Sequence, residues 1–250
     1  MNDSRERRVI RAFVNLSNEL AGDYDVIDML ATLTTHCADL LDVASAGLLL
    51  SDGKGTLHLA ASSSERTEHL ETFQLQRDQG PCLDSYRDSA VIVAGDLTEE
   101  EERWPQFVPA ARKAGFLSVH ALPMLLRGHS IGTLGLFGDR VGRLDTEDLD
   151  LAQALAQVAG VAVVNERAAV DLVTVNAQLQ HALTSRIVLE QAKGIIAHTG
   201  ALTMSDAFDV LRRYARNHGR KLSDVATGIV NRDLDGAVVL AYAATPGVAT

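Results

Sequence analysis

Residues 185–232 read SRIVLEQAKGIIAHTGALTMSDAFDVLRRYARNHGRKLSDVATGIVNR, and the reading of this stretch decides the architecture of the C-terminal end. It carries eight Lys/Arg against four Asp/Glu, a formal charge of +4, while the other 202 residues carry fifteen against twenty-nine, a charge of −14. A compact basic module at the end of an acidic chain is the electrostatic footprint of polyanion binding. Gly194 and Gly200 are expected to interrupt a first helical pattern. Thr203 to Asn217 resumes it, with Met204, Ala207, Phe208, Leu211 and Ala215 on one face and Gly219 as its stop. A last short helix begins near Leu222 or Ser223 and buries Val225, Ala226, Ile229 and Val230. Three helices of this size predict a small bundle around Ile195, Phe208, Leu211, Leu222 and Val225.

Upstream, the helical period begins at Thr146 and holds for about fifty residues. Asp145 or Thr146 caps it, with Glu147 and Asp148 in its first turn. Val158, Val161, Asn165, Ala168, Leu172, Val175, Leu179 and Ala182 alternate spacings of three and four. That is a coiled-coil seam of roughly four heptads, with Asn165 at an a-type position where a buried amide fixes register. A parallel homodimer seam and a long helix packed on its own domain both satisfy the pattern.

The N-terminal part alternates helices and strands. Val9, Phe13, Leu16 and Leu20 share one helical face, and Val26, Leu30, Leu33, Cys37 and Leu40 another, with Asp25 as N-cap. Residues 46–50 and 56–61 are apolar runs flanking Ser51-Asp52-Gly53-Lys54-Gly55, a hairpin signal. A polar helical stretch covers 64–76, and strands are expected over 91–94, 118–125 and 131–137. Short antiparallel strands mixed with helices predict an α+β domain with helices on one side of a sheet. The tail, 236–250, lacks periodicity and is expected to fray.

Composition narrows the class. The chain has 250 residues, 46% of them hydrophobic and only 4% aromatic, enough for one large or two modest cores. No apolar run reaches the length of a membrane span, and MNDSRERRVI lacks a secretory h-region. Cys37 and Cys82 are too few for a metal knuckle or disulfide framework. These features predict a cytoplasmic protein in a reducing compartment, with no metal site.

Ser185-Arg186, Glu190-Gln191-Ala192-Lys193-Gly194, Ala207-Phe208, Leu211-Arg212, Ala215, Leu222 and Asp224-Val225-Ala226 together resemble the signature of the ANTAR family, small three-helix RNA-binding modules of bacterial transcription antitermination regulators. The resemblance implies a partner RNA, paired hairpins in a nascent leader transcript, and an RNA-binding set of Arg186, Gln191, Ala192, Lys193, Gly194, Arg212, Arg213 and Arg216. The residues themselves agree with this. Lys193 offers a charge beside the low surface at Gly194, and Arg212 and Arg216 share a face at i,i+4. Arg186 could instead pair with Glu190, and Tyr214 is a stacking residue or a half-buried core tyrosine.

Residues 79–84 (QGPCLD), Asp96-Leu97, Arg103-Trp104-Pro105 with Phe107, 118–123 (SVHALP) and Ile131-Gly132-Thr133-Leu134 resemble a GAF domain. That resemblance implies an antiparallel sheet flanked by helices, a small-molecule ligand pocket and dimerisation through terminal helices. Cys82 and His120 are its candidate pocket residues. The Gly-Pro-Cys corner presents either a thiol with lowered pKa at a helix start or a small buried packing residue. Cys37 is expected in the core. The predicted organisation is a GAF-like domain with an N-terminal helix (1–165), a linking coiled-coil helix (146–184), an all-α three-helix ANTAR bundle (185–235) and a flexible tail (236–250). The predicted function is a homodimeric, non-enzymatic RNA-binding antitermination regulator under a GAF sensor. A DNA-binding regulator using residues 203–232 as two helices and a turn is the alternative. A GAF-type thiol-dependent reductase is a more distant one, since Cys37 and Cys82 form no recognisable nucleophile and resolving pair.

Overall fold

The structure is a computed structural model that describes residues 5–21, 25–52, 54–165 and 172–243. The chain divides into two units, Met1–Leu183 and Thr184–Thr250. The first holds helices α1 (Arg5–Ala21) and α2 (Val26–Leu40), strands β1 (Ser45–Ser51) and β2 (Leu57–Ser62), and helices α3 (Glu65–Arg77) and α4 (Pro81–Asp88). Strand β3 (Ile92–Ala94), a 3-10 turn over Leu97–Glu100, helix α5 (Phe107–Lys113), strands β4 (Ser118–Leu126) and β5 (His129–Gly138), and helix α6 (Thr146–Asn165) follow.

The five strands form one antiparallel sheet in the order β2-β1-β5-β4-β3. The hairpin expected across 51–55 joins β1 to β2. Helices α1, α2 and α6 pack on one face, and α3, α4 and α5 on the other. This corrects the expectation of helices on one side. Every residue of β1 is buried, as are the first seven of β4, and strands covered on both faces lose the polar alternation that marks a one-sided sheet. Under α3–α5 the core gathers Leu49, Leu70, Trp104, Phe107, Phe116, Val119 and Phe137.

Local chemistry sets the helix starts. The Asp25 carboxylate accepts from the Ile27 and Asp28 amides at 2.9 and 3.3 Å. Asp145 accepts from the Asp148 amide at 2.7 Å and so caps α6. Gly80, at φ +143°, turns the chain into α4, whose first residue is Pro81.

The second unit comprises the C-terminal part of α7 (Leu172–Gly200), α8 (Met204–Asn217), α9 (Leu222–Val230) and α10 (Gly236–Ala243). Gly194 does not interrupt α7, because a single helical glycine costs only about 1 kcal/mol. Ile196 is fully buried, whereas Ile195 is 40% exposed, so the core isoleucine is Ile196 rather than the expected Ile195. The tail is also corrected: 236–243 form α10, which packs on α8 and buries Val239 completely. Its remainder, 244–250, lies outside the described residues. The seam through Asn165, Ala168, Leu172, Val175, Leu179 and Ala182 falls outside the described side chains, leaving Val158 half-buried and Val161 exposed.

Candidate functional site

Two strands bring glycines side by side at the centre of the sheet: Gly47 of β1 pairs with Gly135 of β5. The absent side chains make room for Glu71 of α3. A Cβ on Gly135 would stand 2.8 Å from Glu71 Oε1 and from Cys82 Sγ, and one on Gly47 would stand 2.9 Å from Glu71 Oε1. Glu71, Gln74 and Cys82 are all fully buried. Gln74 Nε2 donates to Glu71 Oε2 at 2.6 Å, the Cys82 amide donates to Gln74 Oε1 at 3.0 Å, and the Cys82 thiol donates to Glu71 Oε1 at 3.4 Å. Thr67, one turn before Glu71, donates to Ser45 Oγ at 2.7 Å, and Ser45 reaches Ser63 and Ser64.

Burial dominates the acid–base behaviour here. It raises the Glu71 carboxyl from 4.5 to about 8, against the hydrogen bond from Cys82, which pulls the other way. Burial, with the Glu71 charge beside it, pushes the Cys82 thiol well above its ordinary value. Of the two readings of the Gly-Pro-Cys corner, the packed residue is therefore the one present. Cys37 is buried on α2 and its thiol is pushed up to about 12 by burial. The two cysteines lie on opposite sides of the sheet.

The motif 79–84 and the Arg103-Trp104 motif meet. Trp104 Nε1 and Arg103 Nε both donate to Asp84 Oδ2 at 3.1 Å, and the Arg103 guanidinium lies 4.6 Å from the Trp104 ring centroid. Gln79 Oε1 accepts from the Gln106 and Phe107 amides at 2.7 and 3.2 Å. Trp104 is thus a packed anchor, 2% exposed.

The sheet separates the two candidate pocket residues. Cys82 packs with Val119, Ala121 and Phe137, whereas His120 alternates with Val119 and Ala121 along β4 and so points to the α6 side. His120 Nε2 accepts from the Leu144 amide at 3.1 Å, just before α6, and Nδ1 has no partner among the described residues. Burial, helped by the Arg143 charge, lowers its pKa to about 4. Glu71 was missed by sequence reading, since its helix reads as polar and its burial depends on glycines in two distant strands.

In the second unit the expected RNA-contact residues do not form one group. Arg186 Nη1 lies 2.8 Å from Glu190 Oε1, and Lys193 Nζ lies 3.0 Å from both Glu190 oxygens. Lys193 is only 8% exposed and stands 5.8 Å from the Phe208 ring centroid, and Arg212 follows Phe208 by one turn. Arg186, Glu190, Lys193 and Phe208 therefore form one cluster. Gln191 and Gly194 face elsewhere, lining an open groove of about 580 Å³ with Ile195, His198, Thr199 and Val230. A Cβ on Gly194 would meet nothing within 4 Å. Arg213 and Arg216 are exposed on α8, whereas Ala192 is completely buried and packs in the core.

Comparison with known proteins matches the GAF domain profile over residues 23–164 and the ANTAR domain profile over 177–230. Among solved structures, the GAF domain of a phosphoenolpyruvate-protein phosphotransferase from Coxiella burnetii is similar at a TM-score of 0.52 and 13% identity, covering 66% of this chain and 97% of that one. The GAF domain of the Acinetobacter phosphoenolpyruvate-protein phosphotransferase is similar at 0.50 and 14% identity, covering 65% and 97%. These likenesses concern the fold alone. No curated protein matches the chain significantly. None of the described helices is long and apolar enough to cross a membrane.

Proposed function

The chain belongs to the GAF domain family, and on that premise we propose that its GAF portion is a sensor governing an ANTAR module that binds paired hairpins in leader transcripts and so prevents termination. The observation that carries the reading is coincidence. The ANTAR match at 177–230 falls on a segment of net positive charge in an otherwise acidic chain, with Arg213, Arg216 and Arg220 exposed there. Phosphate contacts from such side chains supply sequence-independent affinity, and loops with unstacked bases supply the specificity.

In this reading the protein acts as a homodimer through the 146–184 helix. Two modules joined by that helix raise each other's effective concentration on a two-hairpin RNA. A signal at the GAF sensor then changes how the modules are presented, and a coupling of about 1–3 kcal/mol is enough for a useful switch. The two cysteines, buried on opposite sides of the sheet, favour a regulator over a thiol-dependent reductase.

Crosslinking in cells followed by sequencing of the bound RNA tests the assignment. Enrichment of leader segments with paired hairpins is expected, and duplex DNA should compete poorly at matched salt. Equal binding to duplex DNA, or no enriched RNA, would overturn it. For the seam, Leu172→Asp with Leu179→Asp should yield monomers in sedimentation, and an unchanged mass would refute the dimer helix.

A further inference from the structure

The last turn of α8 and the end of α10 gather three aromatic rings. The Tyr214 and His218 rings stack at 4.0 Å between centroids with 22° between planes. Tyr242 meets Tyr214 at 5.7 Å and 85°, and His218 at 4.7 Å and 63°. The three separations form a triangle whose angle at His218 is close to a right angle. Tyr214 thus lies above one face of the imidazole, while Tyr242 lies at its edge. The opposite face of His218 is covered by neither ring, and the residue is exposed.

The ring is held in place. Tyr214 is 7% exposed and fixed by α8, and His218 Nδ1 lies 2.9 Å from the Tyr214 carbonyl oxygen. Gly219, at φ +60°, ends the helix and directs the chain to Arg220. Arg216 and Arg220 are exposed, and neither makes an ion pair among the described residues. Arg186 and Lys193, by contrast, share the carboxylate of Glu190. A pre-ordered aromatic face beside uncompensated guanidiniums matches what an unpaired nucleotide offers: a π-face and a phosphate.

We propose that His218, backed by Tyr214 and edged by Tyr242, is a stacking subsite for one unpaired base of the bound RNA, with Arg220 taking the adjoining phosphate. This rests on the RNA-binding reading above and assigns it a subsite that includes a residue of α10, beyond the matched ANTAR segment. A packing role alone would need the ring stack but not the open imidazole face.

The test begins with full-length protein and an RNA selected on it from a pool of hairpins with randomised loops. If no RNA is enriched, the RNA-binding reading fails and the subsite falls with it. With an enriched RNA in hand, His218→Leu should weaken binding about tenfold, within the range that one base–aromatic stack is worth, and His218→Phe should restore most of it. A 2-aminopurine placed at the responsive loop position should be quenched by the wild type and not by the Leu variant. Equal affinity of wild type and His218→Leu for the selected RNA would overturn the subsite and leave RNA binding standing. An equal loss in the Leu and Phe variants would also overturn it, because aromaticity would then be irrelevant.

Discussion

The Cys82 thiol donates to Glu71 Oε1 at 3.4 Å, and both groups stand over a cross-strand pair of glycines, Gly47 and Gly135. An acid sealed at the centre of a sheet makes the first unit's stability depend on pH. The folded carboxyl titrates near 8 against 4.5 for a free one. Between these values the folded state holds a proton that the unfolded state has released. Stability is therefore fullest below about pH 4.5 as far as this group is concerned, and falls as pH rises toward 8. Thermal unfolding of the full chain should show a melting temperature that declines from pH 6 to 8. In Glu71→Gln the decline should flatten, and an equally steep decline there would remove Glu71 as its source.

His120 sets a limb of opposite sign. Its folded pKa near 4 lies below the 6.5 of a free imidazole. The unfolded state then binds the extra proton, so this contribution is present above pH 6.5 and is lost as pH falls to 4. Protonation also converts Nε2 from acceptor to donor and breaks the contact with the Leu144 amide. Urea midpoints measured between pH 4 and 7 should fall more steeply for the wild type than for His120→Gln. Parallel profiles would place the acid sensitivity elsewhere.

The glycine pair gives a steric prediction. In Gly135→Ala the new methyl meets Cys82 Sγ and Glu71 Oε1 at 2.8 Å and Phe137 Cε2 at 3.0 Å. Replacing a strand glycine by alanine gains a few tenths of a kcal/mol in chain entropy, but overpacking a buried site costs about 1–3 kcal/mol. The net effect should be destabilisation. A urea unfolding midpoint at or above that of the wild type would show that the cluster yields without strain.

Periodicity and turn chemistry made the strand boundaries, the Asp25 and Asp145 caps and the hairpin legible from the sequence. What escaped was tertiary. Ile195 and Ile196 are adjacent and alike, so the helical period could not choose between them, and it is Ile196 that the bundle buries. Helix α10 is GAVVLAYA, with no polar face to reveal it, and becomes visible only through Val239 and Tyr242 packing on α8. At the candidate RNA face, charge was legible, and so was the option of an Arg186–Glu190 pair, but the claim of Lys193 on the same carboxylate was not. Arg186 and Lys193 sit at the right spacing to share Glu190, and only the rotamers show that they do.

That shared carboxylate separates two kinds of cation, and the variants should sort accordingly. Lys193 is almost buried, bound to Glu190 and placed over Phe208. Lys193→Ala removes a packed aliphatic stem as well as a partner for Glu190, and should cost the second unit about 1–2 kcal/mol of stability. Its effect on RNA binding would therefore include a folding component. Arg216 is exposed and pairs with no carboxylate among the described residues. Arg216→Ala should leave the melting temperature within the scatter of surface substitutions while weakening RNA binding at low salt. If Arg216 neutralises one phosphate, the slope of log affinity against log salt should also drop, by about one unit. A lowered melting temperature with an unchanged salt slope would assign Arg216 to the fold and remove it from the RNA face.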